Sequence, residues 1–369
     1  MASGKKRGKK QKNTLFHWIK GISYSVVALT FAGLQLLSYL SAVVNPAKVW
    51  FFSIFGLLFL PIFIINIILA VWAGVHKSPL AFIPLIAILP SFFLLGRFFK
   101  PGQGEPRIFD RADGIRIITC NIDRFAYDRK LEDRQERIDS IFAFLNRNEA
   151  DVVCLQEYAC AEPGDIRHLV GRKLPGYEFE YYLFKGRKGF SGNVTLSRYK
   201  ACDKGKILFD DSRNLALWTE YETRGQRFRV YNCHFESYAI SLSNIWQTLT
   251  GNADARLETG TKYRKSLSRR PKQVDAVLTH FDNSPCAGVV CGDFNDNPMS
   301  YTYHRVRRVD KDSFIEAGDG FGATFTAFWP LLRIDYVFVP ENWTVVSHKT
   351  VKTGFSDHYP IVTDCKLSD

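Results

Sequence analysis

Acidic side chains are almost missing from the first 106 residues, where Glu105 stands alone, and cysteine is missing there altogether. The lack of acid excludes the mixed-charge surface of an ordinary solvated domain and leaves three apolar stretches behind a basic start. They run from about Gly21 to Val44, Val49 to Val75 and Pro79 to Phe99. Each approaches the roughly 20 residues that span a bilayer core, so residues 21–100 read as about three transmembrane helices. No small-residue cleavage site follows the first stretch, and a single signal peptide would not account for three. Pro61, Pro84 and Pro90 predict kinks, and the proline-rich third stretch also fits a re-entrant or interfacial helix.

The remaining absences concern the larger, C-terminal part. All eight cysteines lie there, none in a close metal-type pair, and Cys120, Cys154, Cys233, Cys291 and Cys365 fall within strand-like runs. They read as small buried hydrophobes and not as a disulfide framework or zinc site. A net charge of +12 invites a nucleic-acid reading, but eleven of the 49 basic residues and one of the 37 acids lie in the first 106, leaving 38 against 36. So balanced a remainder lacks the overall electrostatic footprint of a duplex-binding domain. A local run, Lys262, Arg264, Lys265, Arg269, Arg270 and Lys272, fits either a solvated loop entering a helix or a phosphate-binding surface. No internal repeat or low-complexity tract is present.

Residues 1–20 form a basic tail with Lys5, Lys6, Arg7, Lys9, Lys10 and Lys12, expected to be disordered and cytoplasmic. Three crossings then place the large part on the extracytoplasmic side of a multi-pass membrane protein, whereas two leave it inside. A linker over 101–112 precedes a domain at 113–369, long enough for one two-layered core. Ten strand-like segments lie between 115 and 366. Two helices are marked by apolar periodicity, Arg134 to Asn148 and Lys272 to Phe281. The expected fold is a two-sheet α/β sandwich with parallel and antiparallel pairing.

Six local strings share one pattern, an apolar run ending abruptly in polar residues. They are IRIITCNID (Asn121, Asp123), DVVCLQE (Glu157), RFRVYNCHFE (His234), GVVCGDFND (Asp293, Asn295), RIDYVFV (Asp335) and GFSDHYPIV (Asp357, His358). Buried strands look like this when their ends open onto a cleft. A phosphodiester is anionic and repels hydroxide, so its hydrolysis calls for a cation, and hard carboxylate and amide oxygens suit Mg²⁺ or Mn²⁺.

In their order, N-x-D, Q-E, N-x-H, G-D-x-N, R-I-D-Y and S-D-H, these motifs resemble the endonuclease/exonuclease/phosphatase superfamily, deoxyribonuclease-like, over residues 113 to 367. The resemblance implies a deoxyribonuclease-like sandwich and metal-dependent phosphoester hydrolysis. It further implies Glu157 as a metal ligand, with Asn121, Asp123 and Asp357 completing or flanking the set. Asp293 would orient or deprotonate the attacking water while Asn295 donates to a phosphate oxygen. Asp335 would hold His358 protonated against the phosphoryl group, His234 would act as general acid or phosphate contact, and Asn193 would contact phosphate from a bordering strand.

Substrate choice stays open. The longest expected rim loop, Ser237 to Pro271, carries Tyr238, Trp246 and Tyr263, which fit the stacking of bases in a single strand or contact with lipid headgroups. The expectation is therefore a membrane-anchored phosphohydrolase, a phosphodiesterase of nucleic acid or of a phospholipid or sphingomyelin type, or a phosphatase, with no obligate protein partner. A non-catalytic phospholigand-binding domain is the rival reading, opposed by the intact motif set.

Overall fold

A computed structural model describes residues 23–102, 109–126, 131–238 and 253–367, so the basic tail at 1–20 and Trp246 lie outside the described residues. The described residues form helices and fourteen strands: β1 (Phe99–Lys100), β2 (Gly114–Asn121), β3 (Val152–Cys160), β4 (Glu178–Gly186), β5 (Gly189–Ser197), β6 (Ala201–Leu208) and β7 (Leu215–Thr223), then β8 (Gln226–His234), β9 (Ala287–Asp293), β10 (Lys311–Asp312), β11 (Gly320–Phe321), β12 (Asp335–Val339), β13 (Thr344–Thr350) and β14 (Ile361–Lys366). One six-stranded sheet has the order β13-β14-β2-β3-β5-β4 and the other β10-β12-β9-β8-β7-β6. Pairing is antiparallel except for β2 with β3 and β8 with β9.

Strand alternation explains the continuous apolar runs, because both faces of each sheet are covered. Ile117, Val152 and Cys154 meet Val230, Val289 and Cys291 of the other sheet in the central layer. Their neighbours Ile118, Val153 and Leu155 turn outward onto Ile141, Phe142 and Leu145 of the helix Leu131–Asn148. On the opposite outer face, Val274, Val277 and Leu278 of the helix Ala253–Asp282 cover Tyr231, Val290 and Phe338. This is the expected two-sheet sandwich between helices.

Each parallel pair is joined by one of those helices, so both pairs present their C-terminal ends on one rim. There Asn121 lies beside Gln156, and His234 beside Asp293.

The N-terminal region departs from expectation. Among the described residues only Ser23–Leu40 is long and apolar enough to cross a membrane. The second stretch breaks at Leu58 into Phe52–Leu57 and Phe59–Val75, the latter 17 residues long. Prolines, which lack a backbone donor, divide the third into the short turns and helix Pro79–Ala81, Phe82–Ile88 and Leu89–Phe93. The three-span, multi-pass expectation is thereby corrected to one candidate span. Side-chain bonds join the pieces into one unit: Tyr24 OH donates to Leu69 O (2.9 Å), and Asn66 Nδ2 donates to Phe31 O (3.0 Å). Its outer surface exposes Leu29, Ile64, Ile68, Phe82 and Phe93.

The expected rim loop to Pro271 is also corrected. Helix runs from Ala253 through Pro271, which sits inside it.

Candidate active site

Six of the strand-end residues converge at the rim shared by the two sheets. A bulge in β3 shifts its register between Leu155 and Tyr158 and holds Glu157 at φ +55, turning a strand residue toward the cleft. Asn121, at the end of β2, links the two halves: Nδ2 donates to Glu157 Oε1 (3.1 Å) and to Asp293 Oδ2 (2.9 Å). Gly292, φ +128, is required before Asp293, because a Cβ there would lie 1.9 Å from Cys233 O.

Asp293 is buried, and its Oδ1 accepts from Asn295 N at 2.8 Å. Burial and the neighbouring Asp335 push its carboxyl up to about 6, although His358, His234 and Asn121 oppose the rise. His358 Nδ1 meets Asp335 Oδ2 at 2.9 Å, and Nε2 lies 3.9 Å from Asp293 Oδ2. Burial works against charge on this imidazole, but the carboxylates of Asp335 and Asp293 outweigh it and push the group up to about 10. His234 Nε2 stands 3.7 Å from both Glu157 Oε1 and Asp293 Oδ2.

Ser356 Oγ donates to Asn121 O at 2.7 Å and so fastens the loop carrying Asp357 and His358 to β2. Burial raises the Asp357 carboxyl, and Asp123 and Glu157 add to the rise by repulsion while His358 opposes it. Repelling hard-oxygen donors around Asn121 fit a divalent cation. Asp293, Asp335 and His358 also bring ligand atoms within 4.8 Å of one another. That trio is the poorer cation site, since an imidazolium bonded to Asp335 has no lone pair to offer.

Two expectations change. Both amide hydrogens of Asn295 are engaged, one by Phe235 O (3.0 Å) and one by Asp293 Oδ2 (3.1 Å), so this side chain orients Asp293 and has no donor for phosphate. Asn193 is fully buried, and its Nδ2 donates to Asn232 O at 2.9 Å. With Gln156 Nε2 donating to Asn232 Oδ1 (2.7 Å), it stitches the sheets together beneath the cleft and does not reach a substrate. Asp123, at φ +44, accepts from Arg137 NH1 (3.2 Å) and stands at the edge of the donor set.

Other residues shaping the site are unmarked in the sequence because their partners are distant. Arg333, from the R-I-D-Y string, is buried in a bidentate pair with Asp312 (2.9 and 2.6 Å), which fixes the start of β12. Arg270, from the run read as a solvated loop or phosphate surface, is buried and paired with Asp296 at 2.7 Å. Glu157 and His234 border a cleft of about 510 Å³ whose walls carry Arg124, Arg187, Lys188 and Arg213. Arg213 donates to Lys185 O (3.0 Å), tying the β4–β5 turn to this wall.

The order of these strands and the motifs on their ends define a phosphoester hydrolase of the deoxyribonuclease-like class. The chain belongs to the Endonuclease/Exonuclease/phosphatase family, whose model matches residues 118–358, and a family model described as a domain of unknown function matches residues 21–98. Among solved structures it is similar to an endonuclease/exonuclease/phosphatase from Bacteroides vulgatus, at 22% identity and a TM-score of 0.53, covering 69% of this chain and 99% of that one. The human Nocturnin catalytic domain with bound sulfate matches at 17% identity and a TM-score of 0.51, covering 72% and 99%. A humanized D. rerio TDP2 matches at 18% and 0.51, covering 69% and 99%. No curated protein matches the chain. At these identities the structural likeness speaks for the fold.

Proposed function

We propose that the chain is a membrane-associated, Mg²⁺- or Mn²⁺-dependent phosphodiesterase whose substrate is an anionic phosphoester presented at a lipid surface. The observation that carries the catalytic part is the convergence of Glu157, Asn121, His234, Asp293, Asp335 and His358 on one cleft. Glu157 is the principal metal ligand, with Asn121, Asp123 and Asp357 completing or flanking it. A cation bound there would neutralise phosphate charge and polarise the P–O bond.

Asp293, raised to about 6 yet ionised at neutral pH, accepts the proton of the attacking water, and Asn295 and Asn121 hold its two oxygens. His358, protonated and backed by Asp335, donates through Nε2 to the phosphoryl oxygens as charge grows on them. His234, between the two carboxylates, is placed to protonate the leaving oxygen.

Two features support the substrate class. The apolar outer face of residues 23–93 suits a bilayer, and Asn297, four residues from Asp293, bonds directly to that unit. Four residues span at most about 14 Å, so the proposed base lies close to the N-terminal unit that carries this apolar face. The basic walls of the cleft match a headgroup with anionic groups beyond the scissile phosphate. Those same cations favour a second reading, cleavage of a single nucleic-acid strand.

The test measures hydrolysis of bis-p-nitrophenyl phosphate, anionic phospholipid vesicles, sphingomyelin and single-stranded DNA by the full chain, with EDTA and with Mg²⁺ restored. EDTA-sensitive turnover that falls at least about a hundredfold in Glu157→Ala and Asp293→Ala supports the assignment. Turnover of DNA but not lipid selects the second reading, and absence of turnover on every substrate refutes both.

A further inference from the structure

We propose that the N-terminal unit belongs to the catalytic apparatus as well as to the anchor: Ser41, Gly56 and Arg97 fix the turn that follows Asp293 and so act as positioning residues for its carboxylate. The proposal rests on the reading of Asp293 as the base, and it concerns a region with no place in the family's motif set.

The turn, Asn295 to Ser300, is gripped from two sides. On the catalytic-domain side Arg270 NH1 donates to Asn295 O (2.9 Å) and pairs with Asp296 Oδ2, Tyr238 OH donates to Asp296 Oδ1 (2.5 Å), and Tyr336 OH donates to Asp296 O (2.8 Å). On the other side the N-terminal unit bonds to the turn. Asn297 Nδ2 donates to Gly56 O (2.9 Å), Ser41 Oγ to Met299 O (2.6 Å), and Arg97 NH1 to Pro298 O (3.3 Å). Arg97 NH1 also lies 2.7 Å from His304 Nε2, on the helix that the turn leads into. Met299 packs with Phe59 and Phe98, and all three are buried.

The fit at this contact is close. A Cβ on Gly56 would lie 2.1 Å from Ser41 Oγ, so glycine is what lets Ser41 pack beside it, and Met299 O at 3.5 Å would be in ordinary contact. The path to the base is short and made of directional bonds. Asn297 Oδ1 accepts from Met299 N (3.0 Å), and two residues earlier Asn295, at φ +51, bonds to both oxygens of Asp293 through its backbone and side-chain nitrogens. Left-handed backbone at a non-glycine residue persists where its surroundings enforce it: Asp293, Phe235 and Arg270 hold Asn295 itself, and the N-terminal unit holds residues 297–299 that follow it. Without the N-terminal side, Asn297 Nδ2 and the carbonyls of Pro298 and Met299 lose the partners named above.

The experiment uses the full chain in lipid nanodiscs, with Asn297→Ala, Arg97→Met and Ser41→Ala made singly. Steady-state kinetics on bis-p-nitrophenyl phosphate, thermal unfolding and amide hydrogen exchange over 293–300 are compared with the parent. Because a displacement of about 1 Å can cost a hundredfold in rate, kcat should fall about tenfold with KM within about twofold. Exchange over 293–300 should quicken, the unfolding temperature should hold, and Arg97→Lys, which keeps a donor, should recover most of the loss. Unchanged kcat in all three variants overturns the proposal, as does a loss that merely tracks the folded fraction without faster exchange. If the parent turns over no phosphoester, the function above fails and exchange alone decides this proposal: faster exchange supports the clamp, and unchanged exchange overturns it.

Discussion

Asparagine in place of Asp335 removes one negative charge from the site while keeping its size and an acceptor for His358 Nδ1. The two groups meet at 2.9 Å. At an effective dielectric of about 20 this contact is worth about 5–6 kcal/mol, or about four pH units on the imidazole. His358 is pushed up to about 10 in the intact protein, so the variant's imidazole should titrate near 6. If the imidazolium is the catalytic form, the turnover ratio of variant to parent follows the protonated fraction. It should be about 0.01 at pH 8 and rise to about 0.5 at pH 6. Loss of the Asp335 charge also lowers Asp293, so the comparison at pH 8, where Asp293 is ionised in both proteins, is the decisive one. The assay is kcat against pH on bis-p-nitrophenyl phosphate, with NMR titration of the His358 ring as the independent readout. A variant that keeps kcat within about threefold of the parent at pH 8 would refute the role given to this pair.

Further perturbations test the scaffold that holds the site. Arg333→Met strands the buried Asp312 carboxylate and should cost about 3–5 kcal/mol, lowering the unfolding temperature by about 10 °C, and a shift under about 3 °C would contradict the pairing. Gly292→Ala forces a Cβ against Cys233 O and should cost about 3 kcal/mol or more in urea unfolding, since neither backbone can yield. His348 is held neutral by burial, which lowers its group to about 3; its unfolded value of 6.5 is higher, so the contribution to stability is present above about 6.5 and lost as pH falls. Replacing it by Gln should therefore remove about 2 kcal/mol from the stability lost between pH 7 and 5, measured by urea unfolding at each pH.

The sandwich was legible because its strands are covered on both faces and read as unbroken apolar runs, with a polar residue marking each end at the cleft. β6, Ala201–Leu208, did not show, because it is an exposed edge strand in which Lys204 and Lys206 break the apolar pattern. Pro271 read as a boundary, yet the helix passes through it and turns Arg270 inward onto Asp296, a partner 26 positions away that no local pattern reveals. The family resemblance singled out Asn193 and Asn295, but a motif carries no information on where an amide points. Their donors face Asn232, Phe235 and Asp293 inside the protein. The apolar stretches of the N-terminus were visible as composition, whereas the breaks at Leu58 and at the prolines decide how long each helix becomes.

The proton affinity of Asp293, the proposed base, follows from how the strands pair. Asp293 and Asp335 stand opposite one another on β9 and β12, two carboxylates in register within a buried rim. Like charges so placed raise each other's proton affinity, and burial acts in the same direction. One imidazole offsets this: His358 bonds Asp335 through Nδ1 and faces Asp293 through Nε2, so two carboxylates and one cation leave a single net negative charge. That balance explains why Asp293 comes to about 6, strong enough to take a proton from water and still ionised at neutral pH. The same balance ties the two proposed functions together, since the charge that would let His358 donate to a phosphoryl oxygen also keeps Asp293 ionised as the proposed base. Neither strand supplies this alone. It arises where a parallel pair brings Asp293 to the rim, an antiparallel neighbour sets Asp335 beside it, and the loop before β14, fastened by Ser356 to Asn121, closes His358 over both.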